Sequence, residues 1–129
     1  MTNQKKILLV EDDASLAAVY RARLALEGFD IREATNGEDA LSMTVAYKPD
    51  LILLDVMMPK ISGFDVLDIL RNTPETTNTR VIMLTALNQP KDKKRAESLG
   101  VDEYMVKSQV VIGDVVDRIK HHLGLASHT

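Results

Sequence analysis

Apolar positions along the chain fall into two patterns. Three short runs are unbroken: Ile7-Leu8-Leu9-Val10, Leu51-Ile52-Leu53-Leu54 and Val81-Ile82-Met83-Leu84. A continuous apolar run of this length, bounded by polar or breaker residues, marks a strand buried on both faces. Two weaker stretches, 29–34 and 103–106, predict shorter strands, the first nearer a sheet edge. Elsewhere apolar residues recur at three- and four-residue spacing, which predicts helices over about 15–27, 38–47, 64–71 and 111–123, and the strongly charged stretch 90–99 before Gly100 reads as a further helix. Ser15 is the candidate cap of the first and Gly28 its stop. The expected inward stripes are Leu16, Ala17, Val19, Tyr20 and Leu24 in the first helix, and Ala40, Leu41, Val45 and Ala46 in the second. Phe64, Val66, Leu67 and Leu70 are the apolar positions of the third, and Val115, Val116, Ile119 and Leu123 face inward in the last. Gly63 is read as supplying backbone freedom at a helix start.

Five strands alternate with five helices. Alternation at this spacing implies right-handed crossovers and a parallel sheet covered on both faces, a doubly wound α/β fold. The 129 residues suit one domain, with a core of about 6–123 and a frayed tail over 124–129. The connector 72–79 is too short to divide domains.

Composition narrows the function. A net charge of -3 gives no general reason to expect nucleic acid or an anionic membrane as partner. The absence of cysteine excludes disulfides and thiolate metal sites. No apolar run approaches the ~20 residues of a membrane span, and Ile7 to Val10 is too short for a signal segment. A cytoplasmic protein that neither binds nucleic acid directly nor enters a membrane is the expectation.

The chemistry lies where the strands stop. Their carboxyl ends carry Glu11, Asp12 and Asp13, then Asp55, then Thr85, then Lys107. In a parallel sheet these ends share one side, where open sheets bind ligands. Carboxylates 4 Å apart repel by about 4 kcal/mol per pair at an effective dielectric near 20. Lys107 offsets part of that, so either a carboxyl is protonated or a cation sits there. Oxygen donors without His or Cys favour a hard ion such as Mg²⁺. A cation, a lysine and a hydroxyl converging on one carboxylate suit a phosphoryl group, with the carboxylate as nucleophile.

Four segments carry a family resemblance: Ile7-Leu8-Leu9-Val10-Glu11-Asp12-Asp13, Leu53-Leu54-Asp55-Val56-Met57-Met58-Pro59 with Gly63, Leu84-Thr85-Ala86, and Tyr104-Met105-Val106-Lys107. In order and at strand ends, they resemble the receiver domain of two-component response regulators, over nearly the whole chain. The resemblance implies a flavodoxin-like fold with strand order 2-1-3-4-5. It implies that Asp55 accepts the phosphoryl group, that Asp12 binds Mg²⁺ directly (Mn²⁺ substituting), that Glu11 acts on the metal through water, and that Met57 offers its backbone carbonyl. Thr85 and Lys107 would hold phosphoryl oxygens, and Tyr104 would be a switch aromatic that turns inward as Thr85 moves. Met57 and Leu87 occupy the positions that resemble gates on the hydrolytic water. Asp13 falls at a variable position and carries less weight. The implied partners are a sensor histidine kinase or phosphotransfer protein and, through the fourth helix, fifth strand and fifth helix, a protein target or a second copy. The implied protein is a switch rather than an enzyme, catalysing only its own phosphorylation and slow dephosphorylation. One departure stands out: the family usually has proline after the lysine, often in a cis bond, and here the residue is Ser108.

Taken singly, each of these residues has a plainer explanation. Asp12 and Asp13 suit a helix N-terminus, Lys107 a solvated surface, Thr85 a strand end, and Tyr104 a half-buried core position. Lys91, Lys93, Lys94 and Arg95 read as a solvated helix face interrupted by Asp92 and Glu97. His121, His122 and His128 lack companion ligands and read as inert. Three rivals are weaker. An aspartyl phosphohydrolase needs an acid two residues after the nucleophile, where Met57 stands. A nucleotide-binding fold needs a glycine-rich phosphate loop, which does not occur. A receiver-like module that has lost phosphorylation would not retain this residue set. A receiver cut from a longer DNA-binding regulator or hybrid kinase is a further alternative.

Overall fold

A computed structural model describes residues 4–125. The elements are β1 (Lys6–Val10), α1 (Ala14–Leu26), β2 (Asp30–Ala34), α2 (Gly37–Tyr47), β3 (Leu51–Leu54), α3 (Gly63–Arg71), β4 (Arg80–Thr85), α4 (Pro90–Ser98), β5 (Glu103–Val106) and α5 (Ile112–His122), with a 3-10 turn at Lys107–Gln109. All strand pairs are parallel and the order is β2-β1-β3-β4-β5. β2 is an edge, which explains its mixed composition: it has a neighbour on one side only.

Alternation along the strands sorts the core into two layers. Ile7, Leu9, Leu51, Leu53, Ile82 and Leu84 point to one face, where Ala17, Tyr20 and Leu24 of α1 and Val115, Val116 and Ile119 of α5 cover them. Leu8, Val10, Ile52, Leu54, Val81 and Met83 point to the other, beneath α2, α3 and Ala96 of α4. The central strands are thus buried twice over, and this is why they read as continuous apolar runs.

Four local expectations need correction. The cap of α1 is Asp13, whose carboxylate accepts from the Ser15 and Leu16 N–H groups, while Ser15 lies inside the first turn. Val19 points outward in α1. In α2, Val45 and Ala46 are exposed. Thr44 is buried instead, its hydroxyl satisfied by the Ala40 carbonyl at 2.7 Å. Gly124 and Leu125 are not frayed: Gly124 adopts φ 72 and the two N–H groups return to His121 and Lys120, closing α5 with a left-handed glycine cap. The rest of the expected tail, including His128, lies outside the described residues.

Candidate functional site at the carboxyl end of the sheet

Register carries the acids together. Val10 pairs with Leu54, so the residues just beyond them, Glu11 and Asp55, emerge side by side at the rim of β1 and β3. Backbone bonds fix both: Glu11 N–H donates to the Ala34 carbonyl and Asp55 N–H to the Val10 carbonyl, each at 3.1 Å. Both side chains are buried, whereas Asp12 is exposed. Carboxylate oxygens of Glu11, Asp12 and Asp55 lie within 4.8 Å of one another.

Lys107, in the turn after β5, reaches over β4 to this pair. Its ammonium donates to Glu11 Oε1 at 2.8 Å and to Asp55 Oδ2 at 3.0 Å. The remaining oxygens are also held: Glu11 Oε2 accepts from the Asp13 N–H at 3.1 Å, and Asp55 Oδ1 from the Met57 N–H at 3.2 Å. Burial, reinforced by the charge of Asp55, pushes the Glu11 carboxyl above the ordinary range despite the Lys107 hydrogen bond. Burial pulls the Lys107 ammonium down, but its bonds to Glu11 and Asp55 and their charges outweigh it and hold it above its ordinary value. One ammonium therefore serves two buried carboxylates beside a third acid.

This donor set fits a hard dication. The three carboxylates supply oxygen alone, the donor that Mg²⁺ prefers, and bring their oxygens within 4.8 Å of one another.

Thr85 ends β4 and is fully buried. Its Oγ1 accepts from the Leu87 N–H at 3.3 Å, which leaves the hydroxyl proton free to donate elsewhere. The Leu87 carbonyl accepts from the Tyr104 hydroxyl at 2.8 Å. Thr85 and Tyr104 are thus joined through the two backbone groups of one residue, and the sequence has no signal for this link. The Leu87 side chain packs with Tyr104 against the α2–α4 core layer.

Two glycines shape the loop after Asp55. The expectation for Gly63 was conformational freedom, but it has no positive φ. What it provides is room: a Cβ would collide with the Asp55 carbonyl oxygen and stand 2.8 Å from Val56 Cα. At Gly37 a Cβ would collide with the Ile61 side chain of the same loop. No peptide bond among the described residues is cis, so Lys107-Ser108 is trans within its 3-10 turn.

On the β5 and α5 side, His122 is not inert. Its Nε2 lies 2.6 Å from Glu103 Oε1, and Arg118 Nε donates to both Glu103 oxygens at 2.8 and 2.9 Å. Lys91, Lys93 and Lys94 are exposed, as a solvated face requires, while Arg95 stacks 4.4 Å from the Phe64 ring.

A doubly wound parallel sheet carries an acid cluster and a lysine at its carboxyl rim, and comparison places this arrangement in a family. Residues 7–120 match the response regulator receiver domain, and the chain belongs to that family. It is 37% identical over 102 residues to the DNA-binding dual master transcriptional regulator RpaA of Synechocystis, covering 79% of this chain and 42% of that protein. It is 41% identical over 103 residues to the alkaline phosphatase synthesis transcriptional regulatory protein PhoP of Bacillus subtilis, covering 80% and 42%. The chain thus spans about two fifths of the length of these relatives. Among solved structures, the receiver domain of Francisella response regulator 1452 superposes with a TM-score of 0.87 at 30% identity, covering 94% of this chain and 98% of that one. The BeF3-activated N-terminal receiver domain of Klebsiella pneumoniae RstA gives 0.86 at 27% identity, covering 92% and 98%. Receiver domains are signalling proteins rather than conventional enzymes, and they interact with histidine kinases. The family generally uses Mg²⁺ bound by such an acid cluster. Among the described residues no helix is long and apolar enough to cross a membrane.

Proposed function

We propose that this chain is a phosphoacceptor switch: Asp55 takes a phosphoryl group from a phosphohistidine of a sensor kinase or phosphotransfer protein. The observation that carries this reading is the buried Asp55 carboxylate with one oxygen on Lys107, the other on the Met57 N–H, and Glu11 and Asp12 alongside. An Asp55 oxygen attacks phosphorus, the P–N bond to the donor imidazole breaks, and the imidazole leaves with the bond's electron pair. Asp12, Asp55 and the Met57 carbonyl would hold Mg²⁺ directly and Glu11 through water; the ion supplies charge neutralisation at the phosphoryl oxygens. Lys107, released from sharing two carboxylates, holds one phosphoryl oxygen. The Thr85 proton donates to another.

Output follows from the link at Leu87. Drawing Thr85 toward the phosphoryl group moves the Leu87 backbone and with it Tyr104, a population shift between two states of the α4, β5 and α5 face. A cavity of about 420 Å³ lined by Pro90, Lys93, Tyr104 and Val110 on that face supports it as the place where a protein target or a second copy docks. The chain acts as one receiver unit in the cytoplasm, with no direct nucleic-acid contact. The test is intact mass after incubation with acetyl phosphate and Mg²⁺. One phosphoryl group is expected on wild type and none on Asp55→Asn or in EDTA. Undiminished phosphorylation of Asp55→Asn overturns the assignment.

A further inference from the structure

The residue two after Asp55 combines two properties. Its backbone N–H donates to Asp55 Oδ1 at 3.2 Å, so it stands at the lip of the site. Its side chain is the open one among the described methionines: Met57 is 56% exposed, whereas Met83 is 0% and Met105 7%, and Met43 and Met58 are half-buried against the core. A thioether is a weak acceptor and orients water poorly. Its sulfoxide is polar and presents a strong acceptor oxygen.

We propose that Met57 is a peroxide-sensitive modification site whose oxidation shortens the lifetime of the phosphorylated state. The proposal rests on the reading of Asp55 as phosphoacceptor. The sulfur lone pair attacks one oxygen of hydrogen peroxide, the O–O bond breaks, and water leaves. Sulfur loses two electrons, and the two peroxide oxygens gain them. A thiol-dependent reductase reverses this, with two thiols becoming a disulfide and the oxygen departing as water. The sulfoxide oxygen accepts a hydrogen bond from a water at the lip of the site and holds it toward phosphorus. That water attacks, the P–O bond to Asp55 breaks, the carboxylate leaves, and the products are free Asp55, inorganic phosphate and a proton. Oxidant and phosphoryl signal are thereby read by two residues of one loop, two positions apart.

The experiment exposes purified protein to hydrogen peroxide, removes the peroxide with catalase, and maps oxidised methionines by peptide mass. Treated and untreated samples are phosphorylated with acetyl phosphate and Mg²⁺, freed of phosphodonor, and followed by intact mass. Met57 is expected to oxidise ahead of Met43 and Met58. Decay is expected to speed by at least about threefold, below the range of a true general base because water is only positioned. Methionine sulfoxide reductases should restore the slow rate, and a Met57→Leu variant should decay equally with and without peroxide. Untreated protein that takes no phosphoryl group refutes the phosphoacceptor reading itself. Phosphorylated protein whose decay ignores Met57 oxidation overturns this inference alone, as does equal acceleration in Met57→Leu or oxidation of Met43 and Met58 before Met57. An oxidised protein that accepts no phosphoryl group overturns it too.

Discussion

Helices α3 and α4 are both nine residues long and lie on the same face of the sheet, yet they are held very differently. α3 buries Phe64, Val66, Leu67 and Leu70, and Ser62 and Asp65 close a reciprocal capping box at its start. Its first residue, Gly63, bonds to the Val56 carbonyl at 2.8 Å and presses on the Asp55 backbone. α4 buries only Ala96, and Gln89 at its N-cap makes no side-chain cap bond. The helix that supports the Asp55 loop is anchored by its core. The helix beside Tyr104 is attached by one buried alanine, the half-buried Leu99 at its C-cap, one arginine over Phe64, and the chain through Leu87. Local stability of this uneven kind puts movable elements at the weakly packed end. One helix holds the site, and the other is the more weakly held of the two.

The largest effect expected is on α3. Leu67→Ala should lose about 2–5 kcal/mol in urea unfolding, whereas Lys94→Ala in α4 should stay within about 0.5. Equal losses would break the contrast. Next is Gly63→Ala: forcing a Cβ against the Asp55 carbonyl should cost about 1–3 kcal/mol and slow phosphorylation by acetyl phosphate. A variant with wild-type stability and rate would show that the loop is not held by this contact. Smaller is Gln89→Asp, which supplies the missing cap and should stabilise α4 by about 1 kcal/mol. It should also slow amide exchange over Pro90–Ser98 without altering exchange in α3.

The smallest effect is a pH dependence on the β5 and α5 side. Burial alone would raise the Glu103 carboxyl, but its bonds to His122 and Arg118 dominate and hold it below the ordinary 4.5. A carboxylate lowered in the folded state contributes stability above its unfolded value, and that contribution is lost as pH falls through the folded value. Wild type should therefore lose more stability than Glu103→Gln on acidification from about pH 5 downward. Parallel pH profiles would remove Glu103 from the account.

The sequence carried some of this and not the rest, for physical reasons. Strands β1, β3 and β4 were legible because burial on both faces leaves no polar gaps. The helix phases of α1 and α2 were not, because both carry apolar residues outside their buried stripe, so Val19 and Val45 looked inward when they are not. Asp13 and Ser15 are equally good cap types, and only the path of the chain leaving β1 chooses between them. At the site, Glu11, Asp12, Asp55 and Lys107 could be brought together on paper because parallel strands share one end. The Leu87 link and the close approach of Gly63 could not, since backbone groups and missing Cβ atoms leave no mark of their purpose in the sequence. The role of His122 leaves no local signal, because its partner, Glu103, is 19 residues away in the chain.

The contrast between the two helices is tested most directly by amide exchange with and without beryllofluoride and Mg²⁺, in wild type and Asp55→Asn. The account predicts altered exchange from Ala86 through Val106, little change across Gly63–Arg71, and no response in Asp55→Asn. Unchanged exchange in α4 and β5, or a change of equal size in α3, would contradict it.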